Sequence, residues 1–125
     1  MPFYHANVRP GLLDRDGREA FSKDVVEIHC GATGAPPSFV HVLVTENDGG
    51  LPESIDGAIS ATIRAGRTDE QKQGIYRDLR TRLAGHMGVD VEAVTATSRD
   101  IGASYTMEGG ELLPEPGSPE EAAWK

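Results

Sequence analysis

The chain predicts an α+β fold made of two tandem βαβ units, and three observations carry that expectation. Laid on itself with an offset of 54 residues, the chain brings Asp14 onto Thr68, Phe21 onto Ile75, Val25 onto Leu79, Gly31 onto Gly85 and Gly34 onto Gly88. Each half holds one apolar stripe at helical spacing, and each stripe is flanked by short runs rich in strand-forming residues. A strand, a crossover helix and a second strand, given twice, make a four-stranded sheet.

The first strand is expected over 3–8 and its helix at Asp14, whose carboxylate can accept the unpaired amides of the first turn. Phe21, Val25, Ile28 and Ala32 form the apolar stripe of that helix, which glycine then ends. A second strand is expected over 39–44. The segment 47–57, rich in Gly, Asp and Pro, is a connecting loop. The third strand is expected over 58–64. The second helix opens with Thr68 followed three residues later by Gln71, the pattern of a capping box. Ile75, Leu79, Leu83 and Met87 are its stripe, and the fourth strand is expected over 91–97. The Pro- and Glu-rich stretch 107–125 has no periodicity and reads as loop and tail. We expect one domain over 1–125, with unit 1 at about 1–46, unit 2 at about 57–98 and a C-terminal loop and tail at 99–125.

Right-handed crossovers place both helices on one face of the sheet. The run from Phe39 to Val44 is nevertheless apolar on alternate and intervening positions, as in a strand covered on both sides. Identical subunits covering the second face are the economical answer, so a homo-oligomer is expected.

Composition narrows the function. With 20 acidic against 12 basic residues and a formal charge of −8, the chain has the wrong sign for a phosphate backbone, and no nucleic-acid partner is expected. No run approaches the ~18 apolar residues of a membrane helix, so no membrane association is expected. A single cysteine, Cys30, and a charged start with Arg9, Asp14, Arg15 and Asp16 read as cytoplasmic.

Five residues are candidates for chemistry. Removal of Met1 would leave Pro2 as a secondary amine at the edge of a buried strand. An α-amino group titrates near ~7.7–8.0, and burial or nearby arginines lower that value, so such an amine can work near neutrality. Met-Pro also simply suits a strand start. Arg64 and Arg67 flank an Ala-Gly turn before the Thr68 cap, a carboxylate-sized anion site beside a helix start. The alternative is surface charge paired with Asp69 or Glu70. His29 lies on the apolar stripe, where the repeat places Leu83, and is either a hydrogen-bonded core histidine or a substrate-facing imidazole. Glu108 precedes Gly109 and Gly110 in a turn that bends Leu112 and Leu113 back onto the fold. His5, His29, His41 and His86 lack metal-ligand spacing, and no metal or other cofactor is expected. Gly31-Ala32-Thr33-Gly34 ends a helix where a phosphate cradle would open one.

Taken together, Pro2, Ile28-His29-Cys30-Gly31, Ile63-Arg64-Ala65-Gly66-Arg67 and the stretch from Met107-Glu108-Gly109-Gly110 to Leu113-Pro114-Glu115-Pro116-Gly117 resemble the cis-3-chloroacrylic acid dehalogenase family of the tautomerase superfamily. The resemblance spans Pro2 to Gly117. It implies a tautomerase-like (macrophage-migration-inhibitory-factor-like) fold and a homotrimer acting on a small carboxylate substrate. It also implies Pro2 as the catalytic amine, Arg64 and Arg67 binding and polarising the substrate carboxylate with His29 assisting, and Glu108 activating water. The family's dehalogenases carry a tyrosine eleven residues before that glutamate, where this chain has Thr97. Keto–enol tautomerisation of a phenylpyruvate-type acid, in which Glu108 is dispensable, is therefore expected ahead of weak cis-3-chloroacrylate dehalogenation or hydration, in which it is essential. Decarboxylation of a 3-oxo acid and a non-catalytic binding or assembly role are the alternatives.

Overall fold

The computed structural model describes residues 2–123. Strand β1 (Phe3–Val8) leads to helix α1 (Arg15–Thr33) and strand β2 (His41–Glu46); strand β3 (Gly57–Arg64), helix α2 (Asp69–Met87) and strand β4 (Val94–Ile101) repeat the pattern. The sheet order is β2-β1-β3-β4, with β1 parallel to β2, β3 parallel to β4, and β1 antiparallel to β3. That antiparallel seam joins two βαβ units, as the repeat predicts.

The duplication extends to the helix ends. Asp14 accepts from the Gly17 N–H at 2.7 Å, and Thr68 and Gln71 form a reciprocal capping box. Gly34 and Gly88 stop the helices in the left-handed region at φ 74° and 71°, a conformation only glycine adopts without steric cost. Short 3₁₀ turns at Pro37–Phe39 and Val91–Ala93 then precede β2 and β4. The strands expected from 39 and 91 therefore begin later, at His41 and Val94, and β4 runs on to Ile101. Phe39 is apolar because it is fully buried in a turn, not because it belongs to a strand.

Alternation along the strands sends one side inward. Tyr4, Ala6 and Val8 of β1 and Ile59, Ala61 and Ile63 of β3 pack against Phe21 and Val25 of α1 and Ile75, Leu79, Leu83 and Met87 of α2. The α1 face is Phe21, Val25 and His29, with Ile28 only partly buried and Ala32 exposed, so the expected stripe is rotated toward the histidine. On β2, Val42 and Val44 join the core edge, whereas Leu43 is 46% exposed on the opposite face, which Phe3 of β1 shares at 44%.

The expected tail has structure. Strands β5 (Met107–Glu108) and β6 (Glu111–Leu112) form a hairpin closed by Gly109 and Gly110, whose φ values of 61° and 83° suit a tight two-residue turn. A four-residue helix α3 (Pro119–Ala122) follows.

Candidate active site

Because β1 and β3 run antiparallel, the start of β1 meets the end of β3, with Phe3 opposite Thr62. Pro2 is buried at that end, and its carbonyl accepts from the His41 N–H at 3.0 Å. Met1, whose removal would expose the Pro2 amine, lies outside the described residues. Arg64 ends β3, and Arg67 follows one turn later, before the Thr68 cap.

Arg64 is buried and Arg67 is partly buried, with side-chain exposures of 2% and 9%. The Arg64 guanidinium lies 5.1 Å from the Phe39 ring centroid and donates to the Pro114 carbonyl and to Glu121 Oε2. Arg67 Nη2 lies 3.9 Å from the same Glu121 oxygen, and its Nη1 donates to the Thr33 carbonyl at 3.4 Å. Gln71 Nε2 donates to the Ala32 carbonyl at 3.0 Å, so two side chains from the second unit satisfy carbonyls left open at the end of α1. Among the described ion pairs the arginines meet Glu121 and not Asp69 or Glu70, and Asp69 pairs with Lys72 instead. The pair therefore surrounds a carboxylate, and that carboxylate is the chain's own.

His29 sits on the core side of α1 at 2% exposure. Its Nδ1 is 2.7 Å from the Tyr4 hydroxyl, and the two rings meet edge-on at 5.6 Å. Burial lowers the His29 pKa to about 4, with Arg67 and Arg64 adding repulsion, so the ring is neutral at physiological pH. Burial pushes the Tyr4 phenol upward, so it stays protonated. The arrangement that leaves no buried O–H unmatched has Tyr4 donating to Nδ1, which puts the imidazole hydrogen on Nε2.

Glu108 lies on β5. Its Oε2 is 3.9 Å from His41 Nε2, and the His41 backbone in turn holds Pro2, so Glu108 approaches the same end of the sheet by another route. Thr97 is exposed on β4 opposite Ser60, and Tyr105 is 80% exposed. Among the described residues no group of three His, Cys, Asp or Glu side chains is placed to hold a metal ion.

Three contributors were not singled out from the sequence. Tyr4 and Phe39 look like ordinary core residues. Glu121 carried a signal, since Ser118-Pro119-Glu120-Glu121 is a helix start with proline at its first position and glutamate at its third.

No protein-family model matches the chain. It is 37% identical over 57 residues, 46% of its length, to 85% of a probable tautomerase of Bradyrhizobium diazoefficiens, a match about one βαβ unit long. The fold also matches the crystal structure of N1, a member of the cis-3-chloroacrylic acid dehalogenase family, at a TM-score of 0.85 and 30% identity over 96% of this chain and 89% of that one. A fused 4-OT described as an asymmetric trimer shares the fold at a TM-score of 0.77 and 22% identity, covering 88% of this chain and 94% of that one. The chain belongs to the tautomerase superfamily. Within it, the full-length likeness is to the cis-3-chloroacrylic acid dehalogenase family, as the motifs around Pro2, Arg64, Arg67 and Glu108 imply.

Proposed function

We propose that this subunit is a tautomerase that uses Pro2, freed by removal of Met1, as acid and base on a small keto acid of the phenylpyruvate type. The observation that carries the reading is the pair of Arg64, buried, and Arg67, partly buried, clasping a carboxylate at the end of β3, beside the strand start that bears Pro2.

In this mechanism the arginines hold the substrate carboxylate and stabilise negative charge as it develops on the adjoining carbonyl oxygen. Neutral Pro2 takes the proton from the carbon beside the ketone and returns it to that oxygen, completing enolisation; ketonisation is the reverse. His29, neutral with its hydrogen on Nε2, assists as a hydrogen-bond donor and not as a third cation. The active unit is a homotrimer in this reading, and the trimeric fused 4-OT with the same fold supports it.

A second reading, weak hydration or dehalogenation of a cis-3-chloroacrylate, draws on the approach of Glu108 to His41 and through it to Pro2. It needs Glu108 to deprotonate water and a protonated Pro2 to deliver the α-carbon proton.

Steady-state keto–enol conversion by Glu108→Gln and Arg67→Met separates the two. Tautomerisation predicts that the first stays within about threefold of wild type, while the second falls by about 10²–10³ in kcat/KM. A collapse in Glu108→Gln, or full activity in Arg67→Met, contradicts the proposal.

A further inference from the structure

The carboxylate between the arginines is fully engaged. Glu121 Oε2 takes Arg64 and faces Arg67, while Oε1 accepts from the Gly117 N–H at 3.2 Å. The segment from Pro114 to Glu121 thus covers Arg64 from two sides, since Pro114 gives its carbonyl to the same guanidinium. With 2% of its side chain exposed, Arg64 has no room for a second acid while that segment is in place.

The segment is not held by its own helix start. A glutamate three residues after a capping serine ordinarily turns back to the serine N–H. Here Glu121 turns to the arginines, α3 has no side-chain cap, and Ser118 Oγ is buried without a hydrogen-bond partner among the described residues. Among the described residues from Met107 to Ala123, Pro114 and Glu121 bond to Arg64.

We propose that Glu121 is a built-in occupant of the carboxylate subsite, and that a substrate acid binds by displacing the Gly117 to Glu121 turn from Arg64. The proposal rests on reading Arg64 and Arg67 as the substrate's anion site. Exchange of one carboxylate for another keeps the buried guanidinium paired at both ends of the process, whereas a neutral analogue would strand it. The closed turn also sets affinity, because apparent binding weakens by the fraction of time the subsite is open.

The probe is 3-phenylpropanoate, an acid with no ketone to enolise. Isothermal titration should show it binding about tenfold more tightly to Glu121→Ala and Glu121→Gln than to wild type, as expected of a subsite closed about nine-tenths of the time. The gain should vanish when Arg64→Met is added to Glu121→Ala. On the wild-type protein, amide hydrogen exchange across 114–123 should accelerate under saturating probe, which reads displacement without any variant. Equal or weaker binding by folded Glu121 variants, a gain that survives loss of Arg64, or unchanged or slower exchange across 114–123 overturns the proposal. Neither readout needs turnover. A protein that shows the gain but no keto–enol activity contradicts only the proposed function; an active enzyme without the gain contradicts only the plug.

Discussion

A histidine in a hydrophobic core is stable only if it stays neutral and hydrogen-bonded, and His29 meets both conditions through burial and Tyr4. Its folded pKa of about 4, against an ordinary value of 6.5, means that the unfolded chain binds the proton more readily between those values. Stability is therefore full above pH 6.5 and lost as the pH falls toward 4, by about 3 kcal/mol. Chemical denaturation of wild type across pH 7 to 4 should show that decline, and His29→Gln should flatten it. Glu121 adds a separate limb at lower pH. Burial alone would raise its carboxyl, but hydrogen bonds from Arg64 and Gly117, with the charge of both arginines, hold it below the usual glutamate range. Its contribution is present above the ordinary glutamate value of about 4.3 and is lost below it as the carboxyl protonates. The residue-level roles were partly legible. His29 stood out because the repeat aligns it with Leu83, and the arginines because of their place before a cap. The spacing of Glu121 after Ser118 marks a helix start, but nothing local in either segment marks its contact with Arg64 across 57 positions.

At the scale of elements, the sequence is explicit wherever local chemistry decides. Both N-caps and the repeat register followed from Asp14, Thr68 and Gln71, because a capping side chain satisfies amides within three residues of itself. Thr68→Ala should lower stability by about 1 kcal/mol, from loss of the box. Leu83→Ala, which empties a fully buried site between α2 and the sheet, should cost about 2–5 kcal/mol. Thermal melts of the two variants test this ordering of cap against core. Elements were misread where tertiary burial overrides propensity. Apolar residues at 39 and 91 imitate strand, yet each belongs to a 3₁₀ turn that redirects the chain into the next strand. Met107 to Leu113 looked structureless by periodicity because a hairpin with two-residue strands is too short to show any.

Over the whole molecule, the sheet has one face under two helices and a second face that no helix among the described residues covers. Phe3 and Leu43 are nearly half exposed on that second face, diagonal to one another in neighbouring strands, and Met107 and Leu112 are exposed apolar residues of the hairpin. The run 39–44, apolar on alternate and intervening positions, calls for cover on both faces, and the outward-facing Leu43 fits that expectation; the extent of the apolar side depends on how β1 and β2 register. Sedimentation of the wild-type protein should give a trimer, and Phe3→Glu with Leu43→Glu should give a monomer, since two carboxylates cannot be buried unpaired at an interface. No helix among the described residues is long and apolar enough to cross a membrane. Catalysis by the amine at the head of β1 is tested by ultraviolet-monitored ketonisation of phenylenolpyruvate by wild type and Pro2→Ala at equal concentration. Turnover is expected of wild type, on protein whose intact mass shows Met1 removed, and its loss is expected in the variant. Equal rates in the two proteins, or no turnover by wild type, would contradict catalysis by that amine.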